Sequence, residues 1–538
     1  MNGKTAVNGL ACSPAFRSFL PWHGTVFAVF FFASLLFGFP FILLRDGGTC
    51  RHIDIGLYIL NNHVFPQTNF AWALDPNHPW LTYEIGNYIA FGLAYKLFAL
   101  NGVVLLTAVP LTLALMWALQ MGRVRGLGPL SVWFVFIPAF LATSLEWSAR
   151  PLVFSYIGFL AFFYLTVMST ASLTKRTILA GVIGCLWINM HGSALLGVTV
   201  LLIRPLQVLI DCLFKKTTNF KQFFLELLPP LAAAVGISFN LLGPAYYPYL
   251  YSYLTHPRVV LQASEYRGAE WGPFDITITP GSWAFLFLLV LVALVFCLAK
   301  YWPPLAQGLY LIVLALAGFY AMRFVPYFAL IALPILGPAW RKLLDQSKSS
   351  DFIPDKQEAT PGVHWFLKSW KILLRAFLRV ELFIEDKESK CVSYRFIALT
   401  FAFVAMLIGL FLFSPAARVN DFSDTAMPVA SVTYLGEHAS DKLGFVVDNW
   451  APYLYFRLHH PIFIDDKVDF YPEAFVEEYK LVLAGKPGWQ GILDKYNLAY
   501  LLIPKTGHLA EAVKVSPDWQ LVFSDKVSSV YFRKRQAP

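Results

Sequence analysis

Long apolar runs recur along this chain, and they leave it few ways to fold. A bilayer-crossing helix needs about 20 predominantly apolar residues. Runs near that length occupy 22–44, 101–121, 130–146, 151–171, 177–190, 192–213, 222–240, 281–299, 305–321, 324–340 and 395–414. Composition agrees. Only 14% of the 538 residues are charged and 57% are hydrophobic, against roughly 25% charged in soluble proteins. A soluble enzyme, a disordered chain and a conventional nucleic-acid binder are thereby excluded. The net charge of +9 is read as basic loops on the inner side of a membrane, with no nucleic-acid partner.

The expected architecture is an α-helical polytopic membrane protein with about eleven spans and a C-terminal extracytoplasmic α/β domain. Residues 84–98 are apolar but short, and are read as a helix at the interface. With the N-terminus inside, Arg123, Arg125, Lys175, Arg176, Lys215, Lys216, Lys221, Lys300, Arg341 and Lys342 all fall inside. So does the basic stretch 341–394, where 362–384 suits an amphipathic surface helix. The first apolar run is too long for a cleaved signal and is read as an anchor. Arg204–Pro205, inside an apolar run, predicts a kink or an early helix end. The domains are therefore 1–414, with a first external loop at 45–100 and a cytoplasmic loop at 341–394, and 415–538. In the second, strand-like runs lie at 444–448, 461–465, 499–503, 519–523 and 528–533, with helices near 472–484 and 488–496. The six cysteines, at 12, 50, 185, 212, 297 and 391, have no zinc spacing.

The unusual polar residues fall on the outer side. They are Asp46, His52, Asp54, Asp75, His78, Glu84, Glu146, Arg150, Asn189, His191, Glu265, Arg267, Glu270, Asp275 and Arg323. Charge at the edge of hydrocarbon is costly unless it pairs or serves a cavity, so this clustering points to a site. Asp46 follows a helix end and precedes Gly47–Gly48, a turn where a substrate can approach the backbone. Turn formation alone also accounts for it. Arg150 suits a phosphate clamp or a snorkelling interfacial role. Glu84 suits a helix cap or a second catalytic carboxylate. His191 suits a turn or a hydrogen-bond donor. Asp465, Asp466 and Asp469 are read as a solvated loop rather than a metal site.

Four stretches carry a family likeness. They are Asp46-Gly-Gly-Thr-Cys-Arg-His52 with Phe65-Pro66-Gln-Thr68, Pro79-Trp80-Leu-Thr-Tyr-Glu84, Ala149-Arg150-Pro151-Leu-Val-Phe154-Ser155, and Trp187-Ile-Asn189-Met-His191-Gly192. Fainter echoes are Phe239-Asn240 to Pro244, Glu270-Trp271, Arg323 before Pro326, and Pro461-Ile-Phe-Ile-Asp465-Asp466-Lys467 with Asp469-Phe-Tyr471-Pro472. In this order the chain resembles bacterial integral-membrane glycosyltransferases of the GT-C superfamily. The branch is that of the dolichyl-phosphate-mannose protein mannosyltransferase-like proteins and the lipopolysaccharide-core enzymes that use polyprenyl-phosphate sugars. Two departures stand out. Many relatives carry a second acid where this chain has Gly48, and often Arg where it has Lys467.

The resemblance implies an inverting transfer from a polyprenyl-phosphate sugar to a glycan, lipid or protein hydroxyl, at the periplasmic face of a bacterial inner membrane. It implies Asp46 as base with Glu84 beside it, and Arg150, His191 and Arg323 on the donor phosphate. His52, Asp54 and Glu270 become acceptor or accessory residues. No metal ligand set is assigned, and a divalent cation such as magnesium or manganese stays open as cofactor. The alternatives are a transporter or flippase of lipid-linked sugars, a glycan ligase or polymerase, and a non-catalytic envelope scaffold.

Overall fold

The computed structural model describes residues 22–214, 220–255, 279–346, 372–373, 376–377, 379–387, 394–414, 420–439 and 442–534. Each expected apolar run is helical within them. In chain order the helices are α1 (Trp22–Ala33), α2 (Gly48–Asn62), α3 (Ile85–Val124), α4 (Ser131–Thr143), α5 (Leu152–Phe163), α6 (Leu173–Met190), α7 (Ala194–Leu201) and α8 (Ile203–Phe214). There follow α9 (Phe220–Glu226), α10 (Leu228–Ile237), α11 (Tyr246–Thr255), α12 (Pro280–Ala299), α13 (Leu305–Tyr320), α14 (Val325–Gln346) and α15 (Tyr394–Phe413). Among the described residues, five helical stretches have the length and apolarity to cross a membrane: Ile85–Val124, Ala194–Phe214, Phe220–Ile237, Pro280–Ala299 and Met322–Gln346.

Helix α12 shows how the sequence specifies the bundle. Its buried positions Gly281, Ala284, Phe285, Leu288, Val292, Val295 and Ala299 recur at helical spacing. The opposite face exposes Trp283, Phe287, Val290, Leu294 and Leu298. One apolar face thus packs on protein and the other is left for lipid.

At 40 residues an unbroken α3 would run about 60 Å, twice a hydrocarbon core. It is not one rod. The backbone leaves helical geometry at Phe98 (φ −141°) and Ala99 (φ +49°). The segment before the break is the separate short helix expected for 84–98. Between α7 and α8 the helix is interrupted at Leu202, just ahead of Arg204–Pro205. Arg204 Nε lies 3.2 Å from Glu226 Oε1 there. Most of 341–394 lies outside the described residues. Its described stretch 379–387 is helical, and Glu381 accepts the Ser131 N–H at the start of α4 (3.1 Å).

The C-terminal part holds α16 (Val429–His438), β1 (Gly444–Val446), α17 (Ala451–Leu458), α18 (Glu473–Leu483), α19 (Trp489–Lys495), β2 (Tyr500–Pro504), α20 (His508–Lys514), β3 (Trp519–Ser524) and β4 (Ser528–Arg533). The sheet order is β1-β2-β4-β3. Strand β1 pairs parallel with β2, while β2–β4 and β3–β4 are antiparallel. Central strand β2 alternates between two cores, as a strand buried on both faces must. Leu501 and Ile503 pack with Phe445, Tyr479, Leu493 and Leu509. Tyr500 and Leu502 join the cluster that runs through Trp450 and Leu454 into the helical bundle. The expected strand 461–465 is corrected. It makes one isolated bridge, Ile462 to Trp72, because its backbone pairs with the first loop rather than with the sheet. Ile462 N donates to Ala71 O (2.8 Å), and Ala73 N donates to Ile462 O (2.9 Å).

Candidate functional site

At one end of the bundle, several loops and the C-terminal domain enclose a cavity of about 340 Å³. Its polar wall includes Arg51, His52, Glu84, Glu146, Arg150, His191, Arg323, Asp466 and Lys467. Its apolar wall includes Leu152, Leu195, Leu196, Tyr246, Tyr249, Leu250 and Phe324. The sequence separates these residues by more than four hundred positions, from Arg51 to Lys467. The fold brings them together because each sits in a loop or at a helix end on the same side of the bundle.

Asp46 stands in the loop before α2. Its Oδ1 accepts the Gly48 N–H (2.8 Å) and lies 2.7 Å from Arg150 Nη2. Arg150 is shared, because Asp466 Oδ2 lies 3.3 Å from the same nitrogen. Asp466 also pairs with Arg51 through its other oxygen. A chain of alternating charge, Asp46–Arg150–Asp466–Arg51, therefore ties the first loop to the C-terminal domain. Asp46 itself lies behind Arg150 and is not part of the cavity wall.

The glycine pair explains how this chain fits. A Cβ on Gly47 would lie 1.8 Å from the Asn449 backbone oxygen. A Cβ on Gly48 would lie 2.8 Å from Asp466 Oδ2 and 3.0 Å from Arg150 Nη2. The open space expected for a substrate is thus filled by the chain's own C-terminal domain. The space that a side chain at position 48 would take is filled by the Asp466 carboxylate and the Arg150 guanidinium.

His191 caps the C-terminal end of α6. Its Nδ1 lies 2.9 Å from Ser155 Oγ and 2.7 Å from Ser193 Oγ, and it accepts the Ser193 backbone N–H at 3.3 Å. A backbone N–H only donates, so Nδ1 is the acceptor and Nε2 carries the proton. That Nε2 lies 3.7 Å from Glu84 Oε1, longer than a direct hydrogen bond. Burial, with Arg323, Lys467 and Arg150 nearby, pushes His191 down to about 3. His191 is therefore a neutral donor, not a cation. Glu84, only 3% exposed, makes no side-chain cap on α3; it faces the cavity.

His52 also lines the cavity. Its Nδ1 lies 3.0 Å from Asn87 Nδ2 and its ring stacks on Tyr88. Burial, then the Arg51 charge, holds it well below the usual histidine range. Asp54 is placed elsewhere, in a separate small pocket with Arg51 and Asp465. Three residues beyond Arg51 on α2, it is not part of the main cavity wall. Glu270, like Glu265, Arg267 and Asp275, lies outside the described residues.

The solvated-loop reading of 465–466 is overturned. Asp465 is 3% exposed, and the Asp466 side chain is 9% exposed between two arginines. Arg51, Asp466, Lys467, Ser155 and Ser193 are the site residues that the sequence pattern does not single out, and Glu146, one of the outer-side cluster, joins them on the cavity wall. The adjacent Asp-Asp-Lys after an apolar run was the available signal. Among the described residues, no group of three or more His, Cys, Asp or Glu is arranged to hold a metal ion.

No family model and no curated protein matches this chain. Solved structures do. The chain is similar to ArnT from Cupriavidus metallidurans bound to undecaprenyl phosphate, at 13% identity and TM-score 0.47, covering 95% of this chain and 97% of that one. It is also similar to the archaeal oligosaccharyltransferase AglB from Archaeoglobus fulgidus, in complex with an inhibitory peptide and a dolichol-phosphate. There the identity is 12% and the TM-score 0.49, covering 95% of this chain and 74% of that one. The functional reading rests on the cavity's own residues.

Proposed function

We propose that this chain is a GT-C-type membrane glycosyltransferase that moves a sugar from a polyprenyl-phosphate donor to a hydroxyl of an envelope glycan, lipid or protein. The cavity is assigned to the periplasmic side of a bacterial inner membrane. One observation carries the reading: cations and carboxylates converge on a cavity whose other wall is apolar. That combination suits a charged head group on a greasy tail.

The reaction is a direct displacement. The acceptor oxygen attacks the anomeric carbon, the bond from that carbon to the phosphate oxygen breaks, and the acceptor proton passes to a carboxylate. Arg150 and Arg323 neutralise the departing phosphate, the role to which guanidinium geometry is suited. His191 donates through Nε2–H. Asp46 is assigned as base. A phosphate that draws Arg150 toward it frees an Asp46 oxygen for the acceptor proton. The positive charge a divalent cation would bring between Asp46 and Asp466 is already supplied by Arg150. Glu146 is the rival base, since it lines the cavity and Asp46 does not.

The test is transfer from radiolabelled polyprenyl-phosphate sugars in membranes holding wild type, Asp46→Asn or Glu146→Gln at matched expression. Asp46→Asn is expected to lose about 10²–10⁴-fold in rate, with Glu146→Gln losing less. The reverse order moves the base to Glu146. A wild type that neither transfers from nor binds any such donor overturns the proposed function.

A further inference from the structure

We infer that Lys467, brought into the cavity by the C-terminal domain, contacts the phosphate of the lipid-linked donor. The inference rests on the function proposed above. It assigns to the C-terminal domain a direct part in ligand binding.

Four observations support it. First, Lys467 lines the same cavity as Arg150 and Arg323, although it comes from a different part of the chain. Second, its loop is rigidly placed. Its root is stitched to the first loop by the two Ile462 backbone hydrogen bonds (2.8 and 2.9 Å). Its tip is fixed by Asp466 on Arg51 and Arg150, and the Lys467 N–H donates to Asp465 Oδ1 (2.9 Å).

Third, the ammonium is aimed rather than left to wander in water. It donates to the Tyr83 hydroxyl and stands 4.6 Å from the centre of the Tyr83 ring. That ring stacks in turn on Tyr249 of α11, with centroids 4.8 Å apart. A flexible lysine loses side-chain entropy when it is held like this. Fourth, Lys467, Arg150 and Arg323 all act electrostatically on one residue, His191. Three cations from three distant segments therefore line one cavity, the setting in which a phosphate group would be held. The carboxylate nearest in sequence, Asp466, is turned to Arg51 and Arg150. Lysine serves phosphate as a point charge, without the bidentate geometry of arginine.

The experiment measures binding to the full chain in nanodiscs, with undecaprenyl phosphate, undecaprenol and inorganic phosphate as probes. Wild type should bind undecaprenyl phosphate more tightly than undecaprenol. Lys467→Met should lose at least tenfold in affinity for the phosphate and little for the alcohol, while Lys467→Arg keeps most of the phosphate preference. If Lys467→Met does not fold, as read by its melting temperature, Lys467→Gln takes its place. A neutral variant that binds undecaprenyl phosphate as wild type does overturns the role of Lys467 and leaves the proposed function standing. A wild type that does not distinguish phosphate from alcohol overturns both. Inorganic phosphate competing as well as the lipid would make this a free-phosphate site and overturn the lipid-donor assignment.

Discussion

Helix α6 carries a basic residue at each end, Arg176 buried and His191 half-buried, and the two are partnered in different ways. Arg176 lies in its first turn; His191 follows its last, roughly 22 Å away along the helix. Arg176 makes a bidentate pair with Glu226, at 2.9 and 3.0 Å. Arg204 Nε (3.2 Å) and Gln222 Nε2 (2.7 Å) close on the same carboxylate. The partners come from α8 and α9, so this cluster holds helices together. At the other end, Ser155 and Ser193 occupy one nitrogen of His191 and leave the other facing the cavity. A polar group in an apolar bundle needs partners in either case. Saturation by neighbouring helices makes a staple, and saturation on one side only makes a tool.

That contrast is most easily broken at Glu226. Glu226→Ala leaves Arg176 buried without its pair and should cost about 3–5 kcal/mol, read as a large fall in melting temperature and in folded yield. The molecules that do fold should transfer sugar at the wild-type rate. A Glu226→Ala protein of normal stability but poor transfer would show that the two ends are not functionally separate. The matching change at the other end, His191→Asn, should reverse the pattern, with transfer falling and melting nearly unchanged.

The glycine pair sharpens the contrast on a smaller scale. In Gly48→Ala the new methyl meets the movable ends of Asp466 and Arg150. The fold should survive, while the charge chain shifts and transfer falls roughly 10–100-fold, the scale of an ångström's misplacement. In Gly47→Ala the methyl meets the Asn449 backbone, which cannot yield without moving the C-terminal domain. Melting temperature and transfer should both fall there. Equal behaviour of the two variants would mean that the Asp466–Arg150 contact is only a docking contact.

These residues also show what the sequence could reveal. Helices, their kinks and the common end of the polar loops follow from local pattern, because apolar runs, proline and basic residues act where they stand. Glu84, Arg150, His191 and Arg323 were found that way, and the structure joins them around one cavity. Asp466 and Lys467 were not, because their meaning lies in partners about 315 and 385 residues away. No local period encodes such a pairing. The 461–465 run reads as a strand for the same reason: a short apolar run does not say which edge it will pair with.

Asp54 supplies the finest test, since it is a buried acid that serves neither as staple nor as part of the cavity wall. It lies three residues after Arg51 on α2, and its Oδ2 is buried with no hydrogen-bond partner. Burial pushes its carboxyl up to about 8, whereas an unfolded aspartate titrates near 3.9. The folded value is the higher one. The stability it contributes is therefore complete below pH 4 and is lost as pH rises from about 4 through 8. Asparagine has nearly the same shape and cannot ionise. The melting temperature of Asp54→Asn minus that of wild type should thus grow between pH 5 and pH 8 and level off above it, by roughly 2–4 °C in all. Thermal unfolding of both proteins across pH 5–9 reads this directly. Parallel curves would mean that Asp54 is already ionised in the fold. The small pocket beside Arg51 would then belong, like the cavity, among the charged sites of the molecule.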